Sequence, residues 1–251
     1  MIGKGKSISH GVAALEYDLA KEIDGQAVAT EIARHELYGC TGAEMVQEMK
    51  PYFTDFPNVK NNCLRFEVSP SIEESSSFTD ADWAELGNDF MQRMGLMNHQ
   101  YIIIRHSGTE SKKEQAHLHI LANRISLSGE LYRDNWIGKR ATEAANAIAK
   151  ERNFVQSQDI GKANKAEIKE AMNSVLKKMQ GFDLTKFQEE LGKLGFKVRE
   201  ARASTGKLNG YYVTARSGTE YKASEIGKGY TLAHIERTQS KLKYNSMNIS
   251  H

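Results

Sequence analysis

The chain has 251 residues, of which 39% are hydrophobic and 26% charged, with a net charge of +2; these proportions are ordinary for a globular protein of one domain, or of one domain and a smaller companion. Its two cysteines, Cys40 and Cys63, form no paired metal-ligand spacing and cannot build a disulfide framework, so reduced thiols in a cytosolic protein are expected. The opening MIGKGKSISHGVAALEYDLAKE lacks the long apolar core of a signal peptide, and no stretch approaches the ~18 apolar residues of a membrane span, so no membrane insertion is expected.

In chain order, residues 1–8 read as a short strand and 11–21 as a helix, with Val12, Leu15 and Leu19 at helical spacing. Residues 24–62 are mixed; TGAEMVQEMKPYF predicts a helix from near Thr41 that ends by Pro51. In CLRFEVS (63–69), Leu64, Phe66 and Val68 alternate with Arg65, Glu67 and Ser69, a strand with one face buried. Thr79 caps the next helix, with Asp82 in the place where a capping box usually has Glu or Gln. Trp83, Leu86, Phe90 and Met94 form its apolar stripe and Gly95 ends it. HQYIIIRH (99–106) and AHLHILANRI (116–125) are strands joined by the polar SGTESKKEQ, predicting a β-hairpin with a long exposed loop. A turn follows at Ser128–Gly129, then a helix over 138–151.

A boundary is placed near 155–163, dividing the chain into domains 1–159 and 160–251. The second reads as a small α+β module: helices over about 163–180 and 183–194, the segment FKVREARA, a turn at Leu208–Gly210, the segment YYVTARSGTEYKAS, and a last helix from near Thr231. Residues 1–159 hold 17 Lys+Arg and 23 Asp+Glu, a net of −6; residues 160–251 hold 17 and 9, a net of +8. The basic third points to a polyanionic partner; a solvated lysine-rich surface is the plainer alternative.

The most informative stretch is RHSGTESKKEQAHLHILANR. Side chains alternate faces along a strand, so His117 and His119 share one face with Leu121 and Asn123, while Ala116, Leu118, Ile120 and Ala122 point into a core. Antiparallel pairing brings His106, at the end of the preceding strand, beside them. Three imidazoles converging from two rigid strands make a facial metal site with open positions, suited to polarising a phosphodiester. Ligand type does not fix the ion. One His-x-His pair alone is a weak signal, and His10, His35, His99, His234 and His251 lack such a setting and read as structural or surface residues.

With these residues in place, the chain resembles the mobilisation relaxases of the MobA/VirD2 type, within the His-hydrophobic-His endonuclease superfamily. The resemblance rests on MIGKGKSISHGVAALEY, FTDADWAELGNDFMQRMGL, HQYIIIRH and AHLHILANRISLSGELYRD, and covers roughly residues 1–153. The basic module is similar to the segment that follows the nuclease domain in some of these proteins, through ASTGKLNG and YKASEIGKGYT. The resemblance implies an α+β fold, a five-stranded antiparallel sheet flanked by helices with the histidines on two adjacent central strands. It implies His106, His117 and His119 as ligands of a divalent ion, Mg²⁺ or Mn²⁺, and Tyr17 as the nucleophile. Asn123, Arg124, Lys207, Lys222 and Lys228 are the expected DNA contacts. Where many members carry an acid two residues after the first histidine, this chain has Gly108; Glu110 from the loop and Glu67 from the neighbouring strand are alternative substitutes, and the sequence does not choose between them.

The implied reaction is site-specific nicking of origin-of-transfer DNA, single-stranded at the nick and duplex or hairpin beside it, in the bacterial cytoplasm. Tyr17 would form a 5′-phosphotyrosyl link and free a 3′-hydroxyl, with accessory mobilisation proteins and a coupling protein as further partners. A phenol titrates near 10 and needs help to act at neutral pH; Lys21, one helical turn beyond Tyr17, is one candidate source, though a lysine there is more often a solvated helix end. The alternatives are a rolling-circle replication initiator of the same superfamily and a non-catalytic DNA-binding protein. The tyrosine preceding the histidine hairpin favours the relaxase.

Overall fold

The structure, a computed structural model, describes residues 1–108 and 115–248, the last eight of these by backbone alone. It divides into two units, Met1–Ser157 and Gln158–His251.

The first unit is built on an antiparallel sheet. Its elements are β1 (Ile2–Ile8), α1 (Gly11–Leu19), the small hairpin β2 (Glu22–Ile23) and β3 (Gln26–Ala27), β4 (Ala29–His35), α2 (Gly42–Met49), β5 (Cys63–Ser69), α3 (Ile72–Ser75), α4 (Asp80–Met94), β6 (His99–His106), β7 (His117–Ser126) and α5 (Ile137–Glu151). Five of the strands form one sheet in the order β1-β5-β7-β6-β4, so the expected α+β fold with central histidine-bearing strands is the one observed. The loop between β6 and β7 falls largely on residues 109–114, outside the described residues, and Glu110 lies there.

Strand alternation divides the core into two layers. Leu64, Phe66, Val68, Ile103, Leu118, Ile120 and Ala122 face α4 and α5. Cys63, Ile102, Ile104 and Leu121 face α1 and α2. α4 starts where the sequence places it: Thr79 accepts from the Asp82 amide, and the Asp82 carboxylate accepts from the Thr79 amide at 2.7 Å, so the shorter acid closes the box. Gly95 takes the left-handed conformation that ends the helix. α5 lies unusually close to β1. A methyl group at Gly3 would sit 2.4 Å from the Ala141 carbonyl oxygen and 2.6 Å from Ala145 Cβ, which is why no side chain is tolerated there.

Several readings change. The buried side of α1 is Gly11, Ala14, Leu15 and Asp18, while Val12 is exposed; the helix puts a carboxylate, not a third aliphatic, on its inner stripe. β4 lay hidden in the mixed stretch because ATEIARH has no apolar run, which suits its place at the edge of the sheet.

The second unit pairs β8 (Lys197–Arg202), β9 (Leu208–Thr214) and β10 (Glu220–Lys222) in the order β10-β9-β8, with α6 (Ser157–Lys178), α7 (Leu184–Lys193), the single-turn α8 (Ala223–Ile226) and α9 (Leu232–Asn248). Its core gathers Ile168, Met172, Phe187, Phe196, Tyr211 and Val213. α6 begins six residues before the predicted start near 163, inside the expected boundary segment. The turn expected at Leu208–Gly210 lies earlier: the Ala203 amide donates to the Lys207 carbonyl at 2.8 Å and Gly206 takes a φ of +80°. Leu208–Gly210 are already paired in β9.

Replacing Gly3 by Ala should therefore push α5 off the sheet and cost about 1–3 kcal/mol, the usual range for overpacking a close contact. Urea unfolding with an unchanged midpoint would show that the helix can yield.

Candidate metal centre

Register, not sequence proximity, assembles the site. β6 and β7 pair so that His106 lies opposite His117 and Ile104 opposite His119. His106, His117 and His119 then share the α1 face of the sheet at its end. Each offers one ring nitrogen, and these three atoms lie within 4.8 Å of one another. The ring centroids are 4.5 Å apart for His106 and His119, 4.8 Å for His117 and His119, and 5.3 Å for His106 and His117.

The outer nitrogens are already assigned by their neighbours. His106 Nε2 lies 2.7 Å from the Asp18 carbonyl oxygen, and His117 Nδ1 lies 3.1 Å from the Gln115 carbonyl oxygen. A carbonyl only accepts, so these nitrogens carry the protons, leaving His106 Nδ1 and His117 Nε2 as lone pairs. His119 Nε2 approaches His117 Nε2 at 3.0 Å, and its Nδ1 faces the Asp18–Arg65 ion pair, 3.3 Å from Arg65 Nη2 and 3.8 Å from Asp18 Oδ1. Burial, and then the cationic character of His106, His117 and Arg65, pushes His119 down to about 2. Burial is also the main cause that lowers His106, against the hydrogen bond to Asp18. Neutral imidazoles with converging lone pairs fit a divalent cation, and outer nitrogens bound to carbonyl oxygens are the usual supports of metal-ligating histidines.

Asp18 is 1% exposed. Arg65 binds both its oxygens, with Nε to Oδ2 at 3.1 Å. Burial raises the Asp18 carboxyl, and the hydrogen bond from Arg65 opposes that. Neither residue was singled out in the sequence, although an acid at the i+7 position of the Gly11–Ala14–Leu15 stripe is a readable signal. Tyr17, one residue earlier on α1, turns outward: it is 57% exposed and its hydroxyl accepts from Lys21 Nζ at 2.8 Å. Of the substitute acids, Glu67 pairs with Lys4 at 2.9 Å. A small cleft beside His119 is lined by Lys4, Lys6, Arg65 and Glu67.

Two of the expected DNA contacts, Asn123 and Arg124, have their polar groups bonded within the unit. Asn123 is fully buried, its amide donating to Gln100 at 2.9 Å and its oxygen accepting from the Ile125 amide at 2.9 Å. Arg124 binds Asp134 at 2.7 Å and the carbonyls of Asn61 and Tyr132 at 3.1 and 3.2 Å. Asn123 thus ties β7 to β6, and Arg124 ties β7 to the segments around Asn61 and Asp134. Lys207, Lys222 and Lys228 are exposed on the second unit. Among the other histidines, His99 is buried with Nδ1 2.9 Å from the Asn123 carbonyl, His35 binds the His99 carbonyl at 2.9 Å and stacks on Tyr101, and His10 and His234 are exposed. His251 lies outside the described residues.

Against known proteins, the family model of the relaxase nuclease domain, MobA/VirD2-like, matches residues 17–154. Among solved structures, the chain is similar to a metal-bound conjugative relaxase TrwC in complex with oriT DNA, at 12% identity and a TM-score of 0.36, over 82% of this chain and 74% of that one, a likeness too slight to argue from. No curated protein matches.

The burial of His119 has a measurable consequence. An unfolded imidazole titrates near 6.5 and this one near 2 when folded, so below about pH 6.5 the unfolded chain takes up a proton that the folded chain refuses. The stability it contributes is complete above that pH and declines as pH falls; the raised Asp18 carboxyl works in the opposite sense across the carboxylate range. The melting temperature of ion-free protein should fall between pH 7 and 5.5. His119→Gln should flatten that fall in part, His106 retaining the rest; an undiminished slope would mean that His119 is not held neutral.

Proposed function

The chain belongs to the MobA/VirD2-like relaxases, and from that membership we propose that it nicks one strand of origin-of-transfer DNA, with Tyr17 as nucleophile and His106, His117 and His119 as ligands of a divalent ion. The observation that carries this reading is the meeting of three imidazoles against the end of α1, the helix that bears Tyr17.

A divalent ion held by these nitrogens supplies Lewis-acid neutralisation of charge on the non-bridging phosphate oxygens. Three imidazole nitrogens match Mn²⁺ better than Mg²⁺, which takes oxygen donors. Tyr17 attacks the scissile phosphorus from the solvent side, where DNA can reach it. A phosphorus–oxygen bond to the phenol forms as the bond to the 3′-oxygen breaks; the phenol loses its proton and the departing oxygen gains one, giving a 5′-phosphotyrosyl link and a free 3′-hydroxyl. Lys21 places an ammonium against the phenol oxygen, where negative charge develops. One phosphoester replaces another, so the step is close to energy balance and reversible, as religation after strand transfer requires. Lys4, Lys6 and Arg65 line the cleft beside His119 and suit the approaching phosphate backbone. Lys207, Lys222 and Lys228 would hold duplex or hairpin DNA near the nick, while accessory mobilisation proteins and a coupling protein in the bacterial cytoplasm would open the origin and receive the strand.

Incubated with single-stranded oligonucleotides carrying candidate origin sequences, the protein should form an SDS-resistant adduct, at lower concentrations of Mn²⁺ than of Mg²⁺. Tyr17→Phe should abolish the adduct while leaving DNA binding within about twofold; a Phe variant that still forms it has another nucleophile. Charge reversal at Lys207, Lys222 and Lys228 together should reduce the salt dependence of duplex binding by up to about three units of log–log slope. An unchanged slope removes these lysines from the interface.

A further inference from the structure

We propose that Asp18 is the positioning residue for His119, fixing the imidazole in the tautomer that can bind an ion and so taking the place of the acid absent at Gly108. The inference rests on the three-histidine reading of the site.

Among the described residues, Asp18 is the acid within ion-pair distance of one of the three histidines: its Oδ1 is 3.8 Å from His119 Nδ1. Without an ion, the contacts around His119 specify one proton arrangement. Arg65 Nη2 can only donate, and it faces Nδ1 at 3.3 Å; Nδ1 is then the acceptor. His117 Nδ1 is committed as a donor to Gln115 O, so His117 Nε2 is an acceptor. It receives the Nε2 proton of His119 across 3.0 Å. That arrangement blocks the nitrogen of His119 that must face the ion.

Binding an ion at His119 Nε2 requires the proton to reside on Nδ1 instead, and a proton there needs an acceptor. Arg65 offers none. Asp18 Oδ1 does, and a shift of about 1 Å brings 3.8 Å into hydrogen-bonding range. Arg65 fixes the carboxylate in place, with Nε to Oδ2 at 3.1 Å, and burial keeps water from competing. No proton is gained or lost overall; it exchanges from Nε2 to Nδ1. The same helix end sets His106, whose Nε2–H is held by the Asp18 carbonyl. Asp18 therefore supports two ligands, one through its backbone and one through its side chain, beside Tyr17.

The test is calorimetric titration of Mn²⁺ into the full chain and its variants, with ¹⁵N-histidine NMR of the Zn²⁺-bound protein to read the tautomer. Asp18→Ala should weaken Mn²⁺ binding by about 10–100-fold, and Asp18→Asn, which keeps an acceptor oxygen, should recover part of the loss. His119 in the Zn²⁺-bound chain should be protonated at Nδ1, and should be protonated at Nε2 in the ion-free chain. Equal affinity in all three proteins overturns the proposal. If Asp18→Ala does not fold, the Asn variant and the wild-type spectrum decide: a Zn²⁺-bound His119 with an unprotonated Nδ1 overturns it equally. Wild-type protein that binds neither ion refutes the three-histidine reading itself, a result distinct from binding that ignores Asp18.

Discussion

Three imidazoles packed nitrogen to nitrogen are the constraint on which the nuclease unit turns. Closely packed rings cannot all be protonated, and burial lowers two of them, His106 and His119, the latter to about 2. Neutral rings at this spacing present lone pairs to one another unless a proton or a cation lies between, and His117 and His119 meet at 3.0 Å. The sheet supplies the rigidity that keeps them there. β7 is the central strand, bonded to β5 and β6 along its length, and it carries two of the three histidines. A pairing slip of one residue would turn both to the opposite face, among Leu118 and Ile120.

α1 then links packing to chemistry. Its inner stripe, Ala14 and Leu15, belongs to the core beneath it, and its last turn delivers Asp18 to the histidines and Tyr17 to solvent. Consecutive helical residues point about 100° apart, so one turn can present a buried carboxylate and an exposed phenol without a loop between them. Burying a charge is costly unless it is paired, and Arg65 from β5 meets that requirement. The ion pair also fastens α1 to the sheet at the end where the site lies.

Much of this was readable in the sequence, and the exceptions have physical causes. The histidine hairpin, the Thr79 cap and the alternation of residues 63–69 follow from patterns strong enough to survive without context, whereas the central position of the ligand strands is implied only by the family resemblance. β4 was hidden because an edge strand needs no apolar run, and Ala29–His35 has none. The sequence has glycines at both 206 and 210, and either could hold the turn; the structure uses the first for reversal and keeps the second, at a φ of +155°, paired in the strand. Asp18 looks like a solvated helix residue until its position on the stripe is counted.

Asn123 and Arg124 are the two expected DNA contacts on β7. Both lie just beyond the ligand pair on β7, and proximity in sequence made them natural partners for DNA. Three-dimensional proximity points elsewhere. His119 is opposite Glu67 on β5, and Glu67 is opposite Lys4 on β1, so the row of side chains running from the histidines to the sheet edge passes through Glu67 to Lys4, with Arg65 and Lys6 in the adjoining row. Phosphates following that row would meet cations presented by two strands that the hydrophobic pattern alone marks only as amphipathic. Arg124, with its guanidinium bound to Asp134 and two carbonyls, would have to break those bonds to reach a phosphate, whereas Lys6 has none among the described contacts to give up and Lys4 only an exposed ion pair with Glu67 of the kind worth about 0–1 kcal/mol. In the proposed reading, that energetic difference favours β1 and β5 for the approach of DNA, while the far end of β7 is tied into the sheet and its neighbouring segments.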